Sequence, residues 1–145
     1  MAITINNYNQ FLEQLGDGTL DMDTHTFKAA LMTSGFVFTA ANTVWADVSA
    51  NELANGFGYT TGGLALTNVT WSQTAGKVTF DFDDPTWTAT GGSLTAVTDL
   101  VIYDDTATGD PLMFACDLGG SFTAVDGARL VLQLPATGFF TIDAV

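Results

Sequence analysis

The sequence predicts an all-β fold, an antiparallel β-sandwich of immunoglobulin-like or jelly-roll-like type, with a short helix near the N-terminus. Two observations carry this prediction. Apolar and polar residues alternate along several runs of roughly five to eight residues, as they do in strands with one buried face. Turn residues such as Gly, Asp and Thr separate these runs at intervals of roughly ten to fifteen residues, which is typical of sandwiches and barrels. The chain of 145 residues contains no evident linker or long repeat, so residues 1–145 are expected to form one domain.

A short amphipathic helix is expected over about residues 7–15. Asn7 can act as its N-cap, and Gln10, three residues later, can complete a capping box. Gly16 and Gly18 would end the helix. A helix of about two to three turns is not stable alone, so it must pack on its own domain or on a neighbouring protein. Its apolar residues at helical spacing are Tyr8, Phe11, Leu12 and Leu15.

The rest of the chain reads as strands. In residues 26–31, Phe27, Ala29 and Leu31 alternate with Thr26, Lys28 and Ala30. Residues 64–66 and 69–71 alternate in opposite registers, which indicates a bulge at Thr67–Asn68. The run DLVIYDD has four consecutive large side chains and is expected to be covered on both faces. The remaining strand segments are KVTFDFDD, PLMFACDL, ARLVLQLP and FFTIDAV, and the strand-like runs also place Trp71 and Trp87 in the core.

The charge composition excludes two classes of partner. Three basic residues stand against sixteen acidic ones, for a net charge of -13, whereas nucleic acids and anionic membranes attract basic surfaces. Only 13% of the residues are charged, so much of the surface must consist of Thr, Ser, Asn, Gly and apolar side chains. The sequence shows neither a signal peptide nor an apolar run of the roughly 18 residues that span a membrane. We therefore expect synthesis in the cytoplasm, with export only as part of a larger particle.

The residues that could support catalysis or metal binding are few. Cys116 lies in a strand-like run and is expected to be a buried, inert thiol, and His25, the single histidine, is expected in a turn. No nucleophile, base or phosphate-binding motif is recognisable, so we expect neither enzyme activity nor a cofactor. Solvated charges at strand ends account for the acidic groups, with Ca²⁺ binding or an aspartate pair of a hydrolase as the alternatives. These groups are Asp17, Asp21 and Asp23; Asp81, Asp83 and Asp84; and Asp104, Asp105 and Asp110.

The stretch WADVSANELANGFGYTTGG, residues 45–63, has the composition of either an active-site loop or a docking loop. Ser49 and Glu52 form a potential capping box around a helical turn, and Asn55–Gly56 suits the left-handed conformation that would end it. Backbone requirements therefore account for most of its polar residues. The aromatic residues either anchor the loop to its own core or contact a partner. The candidate interface residues are Tyr8, Trp45, Phe57 and Tyr59.

Several segments together resemble a family of small structural proteins of tailed bacteriophages. They are DTHTFKAAL at 23–31, SANELANGFGY at 49–59, VTW at 69–71 and VIYDDT at 101–106. The resemblance covers almost the whole chain, while the segment 119–138 departs from the family pattern.

The resemblance implies a virion component, and most directly a capsid decoration or cement protein. Such a protein would bind the major capsid protein on the capsid exterior and associate with itself, for example as a trimer. An alternative is a tail- or fibre-associated adhesion module that binds a host surface glycan. Neither role requires a cofactor or a metal.

Overall fold

The structure, a computed structural model, describes residues 3–144 and consists mainly of β-strands, all paired antiparallel. The predicted all-β class is therefore confirmed. Its elements are β1 (Thr4–Asn7), α1 (Phe11–Asp17), β2 (Phe27–Thr33), 3-10 turns at Trp45–Asp47 and Ser49–Asn51, β3 (Leu64–Ala65), β4 (Thr70–Thr74), β5 (Lys77–Asp81), β6 (Thr86–Thr88), β7 (Leu94–Asp104), β8 (Leu112–Ala124), β9 (Arg129–Val131) and β10 (Phe140–Asp143).

The strands form two layers, as in a sandwich. The first layer is a five-stranded sheet with the order β1-β8-β7-β2-β3. The second layer contains the three-stranded sheet β10-β5-β4 and the two-stranded β6–β9 ribbon. Apolar residues from both layers and from α1 form one core cluster between them, which is the arrangement that half-buried strands favour.

Phenylalanine rings fill the centre of this core. The Phe80 ring lies 5.7 Å from that of Phe27 and 6.2 Å from those of Phe114 and Phe139, measured between centroids. Trp87 is buried, and Trp71 packs half-buried at the edge of the same cluster. The large aromatic content of the chain therefore serves first to build its core.

The five-stranded sheet is also covered on its outer face. Alternate residues of β7, Leu100 and Ile102, enter the main core, whereas Val101 and Tyr103 belong to a second apolar cluster on the other side. The connection between β2 and β3, residues 34–63, lies over this second cluster and supplies Phe36 and Val48 to it. This arrangement confirms that the run DLVIYDD is buried on both faces.

The N-terminal helix begins later than predicted. Residues 4–7 form the edge strand β1, in which Asn7 pairs with Phe114 of β8, so Asn7 cannot cap a helix. The helix begins at Phe11 after Gln10, which makes no side-chain capping bond. Pairing four residues of backbone with β8 satisfies more donors and acceptors than one capping box does, and this explains the difference.

The register shift after Leu66 is a change of sheet rather than a bulge. β3 belongs to the five-stranded sheet and β4 to the three-stranded sheet, and residues 66–69 cross between them. At the crossing, the Asp83 carboxylate accepts hydrogen bonds from the side chains of Thr67 and Asn68.

The last two strands are shorter than the segments that predicted them. ARLVLQLP contributes only Arg129–Val131 to β9, and FFTIDAV contributes Phe140–Asp143 to β10. Val145, the last residue of that segment, lies outside the described residues.

Candidate interaction surface

The connection of residues 34–63, here called the cover loop, is fixed to the sheet by stacked aromatic rings. The Trp45 ring stacks on Tyr103 of β7 with a centroid distance of 4.6 Å and an interplanar angle of 13°. The Tyr103 hydroxyl donates to the Gly62 carbonyl oxygen at 2.6 Å, near the C-terminal end of the loop. One tyrosine of the five-stranded sheet therefore holds the cover loop at two points, one in its first half and one at its C-terminal end. Burial raises the pKa of Tyr103, so its hydroxyl keeps the proton that it donates.

Two further attachments fix the first half of the cover loop. Its backbone pairs with the β7–β8 turn, where Trp45 N–H donates to the Asp110 carbonyl and Leu112 N–H donates to that of Thr43. The Asp47 carboxylate accepts from the backbone N–H groups of Thr43 and Val44. These bonds hold the pKa of Asp47 below its usual value and close the turn at Trp45–Asp47.

Glu52 holds the second half of the cover loop and does not form the predicted capping box. Its Oε1 atom accepts from the Tyr59 hydroxyl and from Gly62 N–H, both at 2.6 Å. The Tyr59 hydroxyl in turn accepts from Leu31 N–H of β2 at 3.2 Å. The turn at Ser49–Asn51 has no side-chain cap. Glu52 bonds to residues that follow it in the loop, so the i, i+3 pattern did not identify its partners.

The structure separates the four predicted interface residues. Tyr8 and Tyr59 are buried within the chain, Tyr8 against Phe38 with a centroid distance of 5.1 Å, and neither reaches the surface. Trp45 is half-buried on Tyr103. Phe57 is 54% exposed. Of the four, Phe57 and the outer edge of Trp45 are therefore available to a partner.

The most exposed of the large apolar residues in the described chain, Val37, was missed by sequence reasoning. Val37 in the cover loop is 75% exposed, whereas its neighbours Phe36 and Phe38 pack into the outer-face cluster. The alternation of Phe36, Val37 and Phe38 is the signal that could have identified it.

Phe57 lies at the tip of a tight hairpin turn. Gly56 and Tyr59 exchange two backbone hydrogen bonds of 2.9 Å, and the two residues between them, Phe57 and Gly58, have φ values of 53° and 90°. Positive φ at both central residues is the pattern of a type I′ turn, which favours Asn-Gly. Of the predicted pair Asn55–Gly56, Gly56 has a positive φ of 131°, and the positive-φ run continues through Phe57 and Gly58. A phenylalanine at this φ costs about 1–2 kcal/mol, and backbone strain of this kind concentrates at functional sites.

This turn packs against the loops at one end of the sandwich. A Cβ atom added to Gly58 would lie 2.0 Å from the Thr88 carbonyl oxygen, and one added to Gly92 would lie 2.3 Å from the Phe57 ring. Thr90 N–H also donates to the Phe57 carbonyl. The β8–β9 turn joins this end through Gly127 N–H, which donates to Ala89 O. We call these three turns, residues 56–59, 89–93 and 125–128, the tip.

A shallow apolar groove of about 350 Å³ lies elsewhere on the surface, between β1 and the segment that follows β9. Uncharged residues line it throughout: Ile3, Ile5, Leu132, Gln133, Leu134, Pro135 and Phe139. The groove has no local sequence signal, because the residues that form it come from opposite ends of the chain.

Two titratable side chains, those of Cys116 and Asp104, are buried inside the fold. Cys116 is buried, as predicted, and burial raises the pKa of its thiol to about 12. The expectation that all three acidic groups are solvated is wrong for Asp104, which is buried and lies 2.5 Å from His25 Nδ1. The Asp104 carboxylate also accepts from the N–H groups of Thr106 and Ala107, so it closes the β7–β8 turn.

Within residues 3–144, no three His, Cys, Asp or Glu side chains are grouped so that they could hold a metal ion. No helix of that part of the chain has the length and apolar content to span a membrane. Comparison of the chain with known protein families, curated proteins and solved structures finds no match.

Proposed function

We propose that this protein is a non-enzymatic structural component of a tailed-bacteriophage virion, a decoration or cement protein that binds the major capsid protein on the capsid exterior. The observation that carries the proposal is the construction of the cover loop. Aromatic side chains fix it on the side that faces the sheet, while Val37 is 75% exposed on the solvent side. Exposed apolar residues on a fixed frame are the usual centre of a protein interface.

The size and charge of the surface also support an interface. A standard interface buries about 800 Å² on each partner, roughly a ninth of the 7229 Å² surface of this chain. One face of the molecule therefore has enough area for an interface of standard size. With 13% charged residues, such a face desolvates few charges on contact, which removes a large penalty of association.

The sequence resemblance to phage structural proteins is the reason why we propose the major capsid protein as the partner. The segments that carry it, residues 23–31, 49–59, 69–71 and 101–106, contribute to β2, the cover loop, β4 and β7. β2 and β7 are neighbouring strands of the five-stranded sheet on which the cover loop lies, whereas β4 belongs to the three-stranded sheet. Three of the four segments therefore concern the cover loop together with its support.

Capsids that lack this protein provide the test. The purified protein should co-sediment with them in a saturable manner and raise their melting temperature. Val37→Asp should weaken binding by roughly tenfold or more, because it places a charge in the contact. Ile142→Asp is the matched control: Ile142 is 37% exposed and lies on β10 of the three-stranded sheet, in the other layer from the cover loop, so its substitution should leave binding unchanged. Failure of the wild-type protein to bind would refute the proposal.

The alternative function is a tail or fibre adhesion module that binds a host glycan. The exposed Phe57 ring, beside a hollow of about 120 Å³ lined in part by Asn55, Ser93 and Thr95, is the observation that favours it. Burial of Tyr59 leaves Phe57 and Trp45 as the aromatic surface for a sugar. A glycan array without hits, together with normal host adsorption of a Phe57→Ala phage, would exclude this alternative.

A further inference from the structure

The tip and the apolar groove lie at opposite ends of the β6–β9 ribbon. At the tip end, Thr88 pairs with Arg129, and the Thr88 carbonyl supports the Phe57 turn. At the other end, the chain continues from β9 into Leu132 and Leu134, which line the groove. Each molecule thus carries an exposed phenyl ring at one end of the ribbon and an uncharged apolar groove at the other.

We propose that copies of this chain associate head to tail, with Phe57 of one copy seated in the groove of the next. This inference goes beyond the proposed function, because it gives a contact for the self-association that the resemblance implies and requires no capsid. A cavity of roughly 150 Å³ is enough to bind benzene, so a groove of about 350 Å³ accepts a phenyl ring together with part of its turn. Burial in the groove would also account for an apolar side chain at a strained, solvated turn position.

Charge complementarity favours a second copy as the occupant. A chain with a net charge of -13 repels its copies unless the contact avoids opposed carboxylates, and no charged residue lines the groove. Among residues 3–144, Arg129 is the one Lys or Arg side chain outside a salt bridge, and it is the first residue of β9, directly after the tip. Asp84 stands beside the groove, where its Oδ1 atom accepts from Leu134 N–H. The second oxygen of Asp84 is left to pair with Arg129 of the neighbouring copy.

The contact is heterologous, because different surfaces of the two copies meet. Heterologous contacts close into rings when the rotation permits and otherwise extend into chains. A mixture of two defective variants can therefore reconstitute a single contact. A symmetric two-fold contact, in which Phe57 meets its own counterpart, does not allow such complementation.

Sedimentation velocity over a concentration series that reaches the millimolar range tests this arrangement. The wild-type protein should associate, and Phe57→Asn and Ile3→Glu should each reduce the association constant by roughly ten- to a hundredfold. An equimolar mixture of the two variants should form a 1:1 complex, in which the intact Phe57 of one meets the intact groove of the other. A monomeric wild type, unaffected variants, or a mixture that stays monomeric would each overturn the proposal.

The variants are chosen so that unfolding cannot imitate the result. Asparagine suits the type I′ position better than phenylalanine, so Phe57→Asn should melt no lower than wild type. Ile3 precedes β1 and is half-buried, and Ile3→Val should preserve both fold and association. A melting scan of each protein shows whether it is folded. If Ile3→Glu unfolds, the loss of association in Phe57→Asn still tests the proposed contact.

A double-mutant cycle tests the ion pair. Arg129→Gln and Asp84→Asn should each weaken association by a few-fold, and the double variant should lose no more than either one. The amide introduced by Asp84→Asn keeps an acceptor oxygen for Leu134 N–H, so the fold is preserved. Lys77→Gln is the matched control, because Lys77 pairs with Asp143 within the chain. Additive losses would show that Arg129 and Asp84 do not meet.

The two proposals fail separately. A protein that stays monomeric but binds capsids refutes the head-to-tail contact and leaves the decoration role intact. A protein that associates through Phe57 but does not bind capsids refutes the decoration role alone.

Discussion

The Tyr59 hydroxyl donates to Glu52 Oε1 at 2.6 Å while it accepts from the backbone of β2. Tyr59 is buried, and burial, followed by the neighbouring Glu52, raises the pKa of its hydroxyl. Tyr59 and Glu52 together connect the cover loop to β2 of the five-stranded sheet. The loop that carries Phe57 is therefore a fixed part of the fold.

Removal of the Glu52 carboxylate should destabilise the protein. Glu52→Ala leaves the buried Tyr59 hydroxyl and Gly62 N–H without their acceptor, and we expect a loss of about 1–3 kcal/mol in the free energy of unfolding. Glu52→Gln keeps an acceptor oxygen and should lose less. Urea denaturation of the three proteins measures both changes. Equal stability of wild type and Glu52→Ala would contradict the role given to this carboxylate.

Replacement of Phe57 by asparagine should stabilise the isolated monomer by about 1 kcal/mol, because asparagine tolerates positive φ. Phe57→Ala retains the backbone penalty and serves as the comparison. Thermal unfolding in dilute solution, where association is minimal, gives the answer. If the asparagine variant melts below the alanine variant, the turn is not strained at this position.

Glycine at position 58 is required for two reasons. Gly58→Ala should cost more than Gly91→Ala, although both positions have positive φ, because only the added methyl group at position 58 meets the Thr88 carbonyl oxygen, at 2.0 Å. The φ penalty shared by both is about 1–2 kcal/mol. Denaturant unfolding of the pair isolates the steric part of the effect. Identical losses would mean that the turn does not pack on β6.

The Cys116 thiol should be unreactive in the native protein. It is buried, and a pKa of about 12 leaves almost no thiolate near neutral pH. Ellman's reagent should label it only after unfolding in urea. Rapid labelling of the folded protein would place Cys116 at an accessible site.

Asp99 should make the fold less stable as the pH rises. Burial raises the pKa of Asp99, and the carboxylate of Asp117, its partner across β7 and β8, adds to the rise. The folded state then binds more protons than the unfolded state, so this group's stabilising contribution is full below the ordinary carboxyl value near pH 4 and is lost as the pH rises through its raised value. Asp99→Asn should remove this part of the pH dependence. An unchanged slope of unfolding free energy against pH in that window would contradict it.

The sequence predicted those features that depend on local pattern. The apolar run at Leu100–Tyr103 indicated a strand buried on both faces, and the alternation at 77–82 indicated one buried face. By contrast, β1 has the polar sequence TINN and is a strand only because β8 lies beside it. Its partner is about a hundred residues away in the chain, so no local signal identifies it.

The predicted interface residues also show which features a local pattern identifies and which depend on the packed structure. Aromatic composition pointed to the cover loop, but it could not separate residues that anchor the loop from residues that are exposed. Tyr59 is an anchor because it reaches Glu52 and β2, whereas Phe57, two residues earlier, is exposed because a type I′ turn directs it outward. Three-dimensional packing decides between these two outcomes.

Cryo-electron microscopy of phage particles tests the proposed decoration role most directly. Cryo-electron microscopy of particles with and without this protein would show where its density lies. We expect added density on the capsid exterior, in contact with the major capsid protein and with the cover loop at that contact. Density confined to the tail or fibres, or particles identical in both maps, would contradict the decoration role.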